Sequence, residues 1–278
     1  ATEEMFQGMP EGGFMRFKGR TENYKGNMQF IIDAVRPAEP GSFEFADFLP
    51  VTKNDIKKMW MRLLEIVRGI KHPDLAALLH EFIIDEELMT RFRKAPAAAT
   101  LHHAYIGGLL EHTLSLLEIA LVVIPHYPKL SLDLVLTGLF LHDIGKSTEL
   151  SYETAIGYTD DGQLLGHIVQ AVIWIEMKAE AAAQRTGRPF PERLRWVLEH
   201  IILSHHGKYE FGSPKLPAVP EAVAIHHLDN LDAKVHMFLA EIENDRDPVS
   251  PWTNFNKALE TKVYKPDVMG TRGMKNSE

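Results

Sequence analysis

Residues 139–146 read LFLHDIGK, an apolar run that ends in an adjacent histidine and aspartate, His142 and Asp143. Burying an imidazole beside a carboxylate costs free energy unless a cation compensates for it. A divalent metal ion is such a cation. The stretch therefore predicts a metal site at the end of a buried helix.

Further nitrogen and oxygen donors lie inside or at the edge of other apolar stretches: His112, His167, His205, His206 and Asp229. A set of imidazoles and carboxylates without thiolates suits one or two first-row divalent ions or Mg²⁺, and it excludes a cysteine-based structural zinc site. The function class that this donor set indicates is a metal-dependent hydrolase.

Composition sets the outer limits. The chain has 278 residues, 45% of them hydrophobic, which is enough for one large domain with a buried core and one small domain. It has no cysteine, so disulfides and thiolate chemistry are excluded. We see neither a long uncharged apolar run nor a signal pattern, and we expect a cytoplasmic protein without a membrane partner.

The first part of the chain is locally basic although the net charge is -8. Residues 14–20 and 28–35 have the pattern of a β-hairpin with a glycine-containing turn, and Arg16, Lys18 and Arg20 alternate along its first strand. A lone hairpin is marginal in water, so we expect residues 1–38 to belong to a small β-domain whose first strands are not in this sequence. Either a fragment of a nucleic-acid-binding barrel or a plain packing hairpin fits.

Residues 39–51 form a proline-punctuated linker, and nearly everything from Thr52 onward has helical period. Thr52 is the predicted cap of the first helix, and Pro73 is predicted to open the second. We expect a mainly α fold, a helical bundle over residues 52–266, interrupted between Lys146 and Gly162 by a short hairpin or loop. Residues 267–278 are expected to form a flexible tail.

The histidines and acids lie on apolar faces, which converge in the core of a bundle, where carboxylate and histidine metal sites are commonly built. Gly107 and Gly108 are predicted inside the helix that carries His112, where they favour a close approach of another segment. The order His112, then His142-Asp143, then Asp229 resembles that of the HD-domain metal-dependent phosphohydrolases.

Longer phrases resemble the YhaM-type 3′→5′ exoribonucleases, from about Phe14 to Pro266. They are LHHAYIGGLLEHT, LFLHDIGK, LLGHI, ILSHHGK, GSPKLP and IHHLDNLDAK. The resemblance implies an HD domain preceded by an OB-fold, of which only the later strands are present here.

The resemblance also implies a ligand set for two ions, with Asp143 bridging them. His112, His142 and Asp229 would hold one ion, and His167, His205 and His206 the other. Alternatively, one member of the His205-His206 doublet does not bind a metal ion but contacts the substrate or a metal-binding side chain. Manganese is the expected metal, while Fe, Co, Ni, Zn and Mg stay open.

Candidate substrate-binding residues surround this set. Lys146 is either a catalytic cation that contacts a phosphate or a solvated lysine at a helix end. Lys208 and Lys215 are further candidates for phosphate contacts, and His102 and His103 for the lining of a substrate channel. Asp232 either orients a ligand or balances charge, while His226 and His227 are expected to pack near the site.

The predicted activity is a metal-dependent 3′→5′ exoribonuclease that converts single-stranded RNA, or DNA, to 5′-mononucleotides, with Asp143 and Lys146 as catalytic residues. The basic hairpin would guide the strand, with Tyr24 and Phe30 as stacking candidates. One alternative is a phosphohydrolase of small nucleotides or cyclic dinucleotides, which the histidine set also resembles, although the GYP phrase of that group is absent. Another is an RNA-binding or scaffold protein that keeps the HD core for stability. A homo-oligomer is compatible with the sequence.

Overall fold

The computed structural model describes residues 14–24, 27–39, 41–43, 48–99, 104–152 and 156–272. Strand β1 (Met15–Tyr24) pairs antiparallel with β2 (Asn27–Pro37), and a bulge interrupts the register between Lys18 and Gly19. At Gly19 a side chain would lie 2.1 Å from the carbonyl oxygen of Ile31, so the close strand approach requires glycine. The predicted hairpin is confirmed, and each strand is longer than predicted.

The helical part follows in chain order. Its helices are α1 (Ile56–Arg68), α2 (Pro73–Ile83), α3 (Glu86–Lys94), α4 (Gly108–Val123), α5 (Leu132–Leu141), α6 (Lys146–Glu149), α7 (Asp160–Leu164), α8 (Gly166–Thr186), α9 (Glu192–Ser204) and α10 (Pro220–Asn244). Short strands β3 (Leu150–Ser151) and β4 (Gly157–Tyr158) pair antiparallel between α6 and α7. The mainly α fold and the interrupting hairpin are thus confirmed.

The helix starts correct one detail of the sequence interpretation and confirm another. Asp55 caps α1, because its carboxylate accepts hydrogen bonds from the backbone N–H groups of Lys57 and Lys58. Thr52 instead donates its hydroxyl to Glu111 on α4. Pro73 does open α2, as predicted.

Gly107 lies before α4 rather than inside it. It has a φ of 83°, and a side chain there would lie 2.9 Å from Cγ2 of Thr52. Gly108 is the first residue of α4. Gly107 therefore lets the start of α4 pack against the segment before α1.

Four helices form the centre of the bundle. α4 and α5 pack on each other and on α10, while α9 packs against α5 and α10. Their shared core contains fully buried Leu109, Leu139, Ile201 and Ile225. Helix α8 covers this centre and contacts α2 and α9. The predicted convergence of apolar faces therefore occurs.

One stretch of the described chain, Gly108–His126, is long and apolar enough to cross a membrane by length and composition alone. In the structure 56% of that stretch is buried. Its residues Leu109, Leu116 and Leu117 belong to the core cluster of the bundle. We interpret it as a core helix.

Candidate metal centre

The predicted ligands come from five places in the bundle. They are His112 in α4, His142 and Asp143 directly after α5, His167 at the start of α8, His205 and His206 directly after α9, and Asp229 in the middle of α10. Both doublets, His142-Asp143 and His205-His206, directly follow the last residue of a helix.

These side chains form two groups, and within each group the ligand atoms all lie within 4.8 Å of one another. The first ligand group is His112, His142 and Asp229. The second ligand group is Asp143, His167, His205 and His206. The division is the same as the one that the resemblance implied.

Asp143 belongs to the second ligand group and also faces the first. Its Oδ1 lies 3.4 Å from Nε2 of His167 and 3.7 Å from Nε2 of His205. Its Oδ2 lies 3.3 Å from Nε2 of His142 and 3.9 Å from Nε2 of His112. Each carboxylate oxygen thus faces a different group, which is the geometry that a bridging carboxylate needs.

Three ligand histidines are oriented by backbone carbonyl oxygens. Each donates its Nδ1–H: His142 to Leu139 (2.7 Å), His205 to Ile202 (2.7 Å) and His206 to Phe211 (2.8 Å). Because a carbonyl oxygen can only accept, a proton must be on Nδ1, and in the neutral ring Nε2 then keeps its lone pair for a metal ion.

Carboxylates orient the other two histidines. Nδ1 of His112 lies 2.8 Å from Oδ2 of Asp232, and Nδ1 of His167 lies 3.0 Å from Oε1 of Glu149. Of the two possibilities for Asp232, the structure supports the orienting one. Glu149 was missed in the sequence, where the only signal was a carboxylate one short helix after the doublet.

Several atoms of the centre are buried without a hydrogen-bond partner in the described part of the chain. They are Nε2 of His142, His167 and His205 and Oδ1 of Asp143. Leaving such a group unsatisfied costs about 1–3 kcal/mol. One or two cations placed among these atoms would satisfy all of them, so the residues present fit a divalent metal.

The protonation states suit metal binding in the second ligand group. Burial, together with neighbouring His205, lowers the pKa of His206 to about 4. Burial also lowers the pKa of His205. Both rings are therefore neutral near pH 7, which is the form that binds a metal.

The acids of the centre are ionised. Burial raises the pKa of Asp143, but the charge of Lys146 and the contacts with His142 and His205 together outweigh burial, and the pKa is well below its usual value. Burial raises the pKa of Asp229, but the hydrogen bond with His112 and the charges of His142 and His112 together outweigh burial and lower it. Burial lowers the pKa of His112, yet the hydrogen bonds with Asp229 and Asp232 raise it to about 9. Loading a metal on His112 would therefore release a proton.

Lys146 is close to the centre. Its Nζ lies 2.7 Å from Oδ2 of Asp143, and its side chain is 14% exposed. The alternative of a solvated lysine at a helix end is therefore wrong, and the direct partner in this structure is Asp143.

The other substrate-binding candidates are not in the two ligand groups. Lys208 is 58% exposed and lies 3.3 Å from Glu210, and Lys215 is exposed. His102 and His103 lie outside the described residues. His226 contacts the backbone of the His205-His206 doublet, because its Nδ1 donates to the carbonyl oxygen of His205 at 2.8 Å.

Most of the chain is similar in sequence to known proteins. The model of the HD domain family matches residues 109–234. The 3′-5′ exoribonuclease YhaM of Geobacillus sp. (strain WCH70) is 37% identical over 262 residues, which cover 93% of this chain and 77% of the relative. The proteins of that name from Bacillus pumilus and Bacillus subtilis are 36% and 35% identical, each over 89% of this chain and 76% of the relative. No solved structure shows significant similarity to this chain.

The matched HD region contains both ligand groups, and the identity to the relatives extends over most of the chain, as the phrases quoted from the sequence led us to expect. The chain belongs to the YhaM family of HD-domain 3′-5′ exoribonucleases.

Proposed function

We propose that this protein hydrolyses single-stranded RNA from its 3′ end and releases nucleoside 5′-monophosphates. The observation that carries the proposal is the pair of ligand groups around Asp143, in a chain whose relatives are named 3′-5′ exoribonucleases. A cytoplasmic location and single-stranded RNA as the partner are part of the proposal.

The two ligand groups would hold two divalent ions, with Asp143 between them. The donors are imidazole nitrogens and carboxylate oxygens, and carboxylate oxygens, one pair of which lies between the two groups, are donors that suit Mn²⁺. We therefore propose manganese as the working metal. His112, His142 and Asp229 would hold one ion, and His167, His205 and His206 the other.

A pair of divalent ions supplies an activated water and charge stabilisation for phosphoryl transfer. In the hydrolysis a water oxygen bonds to phosphorus, the bond from phosphorus to the 3′ oxygen breaks, and that oxygen takes up a proton. The products are a 5′-monophosphate and a chain one nucleotide shorter. Asp143 would keep the metal ligands in place throughout.

Lys146 would bind a phosphoryl oxygen of the substrate. Its ammonium has three N–H donors, and Asp143 accepts one of them. Burial lowers its pKa, but Asp143, Asp229 and Glu149 together outweigh burial and raise it, so that the side chain stays charged. Negative charge that develops on the phosphoryl group would thus meet a fixed cation. Lys208, Lys215, His102 and His103 are proposed as contacts farther along the strand.

The N-terminal hairpin offers a basic groove for the RNA strand. Arg16, Lys18 and Arg36 line a cavity of about 510 Å³ together with Phe17 and Phe30. In the described ranges no carboxylate lies within ion-pair distance of these three cations, whereas the neighbouring Arg20 is paired with Asp33 at 3.0 Å. Cations beside exposed aromatic rings suit phosphates and stacked bases. Phe30 is the better placed of the two stacking candidates, since Tyr24 lies at the hairpin tip.

The test uses the purified chain, Mn²⁺ and a 5′-labelled single-stranded RNA. We expect a ladder of products shortened from the 3′ end, with 5′-monophosphates released, and an intact circular RNA of the same sequence. His142→Ala should abolish the ladder. His227→Ala is the matched control, because this histidine is exposed on α10 and lies outside both ligand groups.

Three results would contradict the proposal. Cleavage of the circular RNA would indicate an endonuclease. Hydrolysis of a cyclic dinucleotide or a mononucleotide, with the RNA left intact, would favour the small-nucleotide phosphohydrolase. Equal RNA affinity of the wild type and Asp143→Ala, without any cleavage or bound metal, would favour the scaffold protein.

A further inference from the structure

The ligand histidines are held in two chemically different ways. Neutral carbonyl oxygens accept from His142, His205 and His206, whereas carboxylates accept from His112 and His167. The first ligand group contains His112, and the second contains His167. Each group thus has a single carboxylate-held histidine within the described chain.

Asp232 holds His112 from α10. It lies three residues after Asp229, so both side chains are on one face of the helix. Its Oδ2 accepts from Nδ1 of His112, and its Oδ1 accepts the hydroxyl of Ser115 at 2.6 Å. Ser115 lies three residues after His112 on α4. The buried carboxylate therefore fixes the imidazole ring and is itself fixed by the same helix.

Glu149 holds His167 from the end of α6. Its Oε1 accepts both the backbone N–H and Nδ1–H of His167, each at 3.0 Å. The backbones around this pair are in close contact. A side chain at Gly162 would lie 2.3 Å from the carbonyl oxygen of Glu149, and one at Gly145 would lie 2.2 Å from that of His167. The two glycines are thus required for this carboxylate to reach the histidine.

We propose that Asp232 and Glu149 are positioning residues, one for each metal position, and that each sets the metal affinity of its own ligand group through one histidine. A carboxylate on Nδ1 raises the basicity of the ring and hence its strength as a metal ligand through Nε2. His142, His205 and His206, which donate to backbone carbonyl oxygens, do not receive this increase in basicity. The inference rests on the metal centre of the proposed function.

Charge-only variants test the inference. Asp232→Asn and Glu149→Gln keep a side-chain oxygen that can accept from Nδ1, so the hydrogen bond can survive while the negative charge is lost. Mn²⁺ binding is measured by calorimetry and by the electron paramagnetic resonance signal of free Mn²⁺. We expect two equivalents for the wild type, and for each variant one equivalent that binds about 10- to 100-fold more weakly.

Asp74→Asn is the matched control. Asp74 is also a buried acid in an ion pair, with Arg188 beyond the end of α8. His167 is at the opposite end of that 21-residue helix, which is about 30 Å long. This variant should bind both equivalents as the wild type does. Thermal unfolding of the metal-free proteins then separates a loss of fold from a loss of affinity.

Histidine backgrounds assign each acid to its position. In His112→Ala, Asp232→Asn should cause no further loss, because the histidine through which it acts is gone, whereas Glu149→Gln should still weaken the remaining equivalent. In His167→Ala the two effects should be reversed.

Three results would overturn the inference. One is that both charge-only variants bind two equivalents within twofold of the wild type. Another is that Asp232→Asn weakens binding as strongly in His112→Ala as in the wild type. In both cases the metal centre itself would stand. The third is that the wild type binds no Mn²⁺, which would remove the proposed centre and this inference with it.

Discussion

Gly145 joins the two halves of the candidate metal centre. It follows Asp143 by two residues, and its backbone lies against that of His167 at the start of α8. The change Gly145→Ala would place a Cβ atom 2.2 Å from the carbonyl oxygen and 2.7 Å from Cα of His167, whereas ordinary contact begins at 3.4 Å. The opposing atoms belong to the backbone and cannot rotate away. Helix α8 would therefore have to move by about 1.2 Å, the difference between 2.2 Å and 3.4 Å.

A movement of that size is large for a metal site. Ligand distances hold within about 0.2 Å in a working site, so a displaced His167 would leave the second ligand group incomplete. We expect Gly145→Ala to bind one equivalent of Mn²⁺ instead of two and to lose RNA hydrolysis by at least about 100-fold, the range that misplaced catalytic groups show. Overpacking should also lower the free energy of unfolding by about 1–3 kcal/mol.

The assay is Mn²⁺ titration by calorimetry, together with the 5′-labelled RNA ladder and thermal unfolding. Gly157→Ala is the matched control in the neighbouring hairpin, because the nearest atom to its added methyl group is Oγ of Ser151 at 3.7 Å. A Gly145→Ala protein with two equivalents bound within twofold of wild-type affinity and with full activity would refute the reasoning.

Three further predictions concern metal removal, pH and salt. Chelation should lower the melting temperature by roughly 5–10 °C relative to protein with Mn²⁺ at 100 times its Kd, as followed by differential scanning fluorimetry; no difference would argue against a metal in the folded state. Burial and the charge of Glu176 raise the pKa of Glu199 from 4.5 to about 7. Ionisation of Glu199 therefore opposes folding, and the free energy of unfolding falls as pH rises from about 4.5 to above 7. Glu199→Gln should therefore match the wild type at pH 4 and exceed it by about 1 kcal/mol at pH 8 in urea unfolding, a value reduced for solvent screening; an equal gain at both values would contradict this. Replacing Arg16 and Lys18 by alanine should weaken RNA binding and reduce the salt slope by about 0.7 for each lost phosphate contact, whereas Arg20→Ala should change it little.

The donor set of the centre could be predicted because it depends on local pattern. Helical period places His112 and Asp229 on apolar faces, and an apolar helix that ends at the His142-Asp143 pair requires a cation. These signals are contained in single stretches of sequence, and the structure brings the stretches together in the groups that the resemblance implied.

The contacts between stretches could not be predicted in the same way. That Glu149 accepts from His167 depends on the packing of α6 against α8, which no periodicity encodes. The placement of Gly107 before α4 depends on a contact with Thr52. Lys146 is a different case, because its partner Asp143 lies in the same stretch, three residues earlier. Sequence reasoning identified Gly107 and Lys146 without these partners and missed Glu149.

Burial of the polar ligand atoms lowers the stability of the metal-free protein. Within the described ranges, four buried atoms of the candidate metal centre have no hydrogen-bond partner, and at about 1–3 kcal/mol each they oppose folding by an amount similar to the whole stability of a typical domain. The metal-free protein must offset that cost with the apolar core that α4, α5, α9 and α10 share. Because that core is formed by the same helices that carry the ligands, the ligand atoms are held together before any ion binds. Affinity for metal is then higher, since the ordering of the ligands has already occurred during folding. The same helices therefore form the apolar core and carry the candidate ligands, and a change that loosens the core should weaken metal binding even when every candidate ligand is kept.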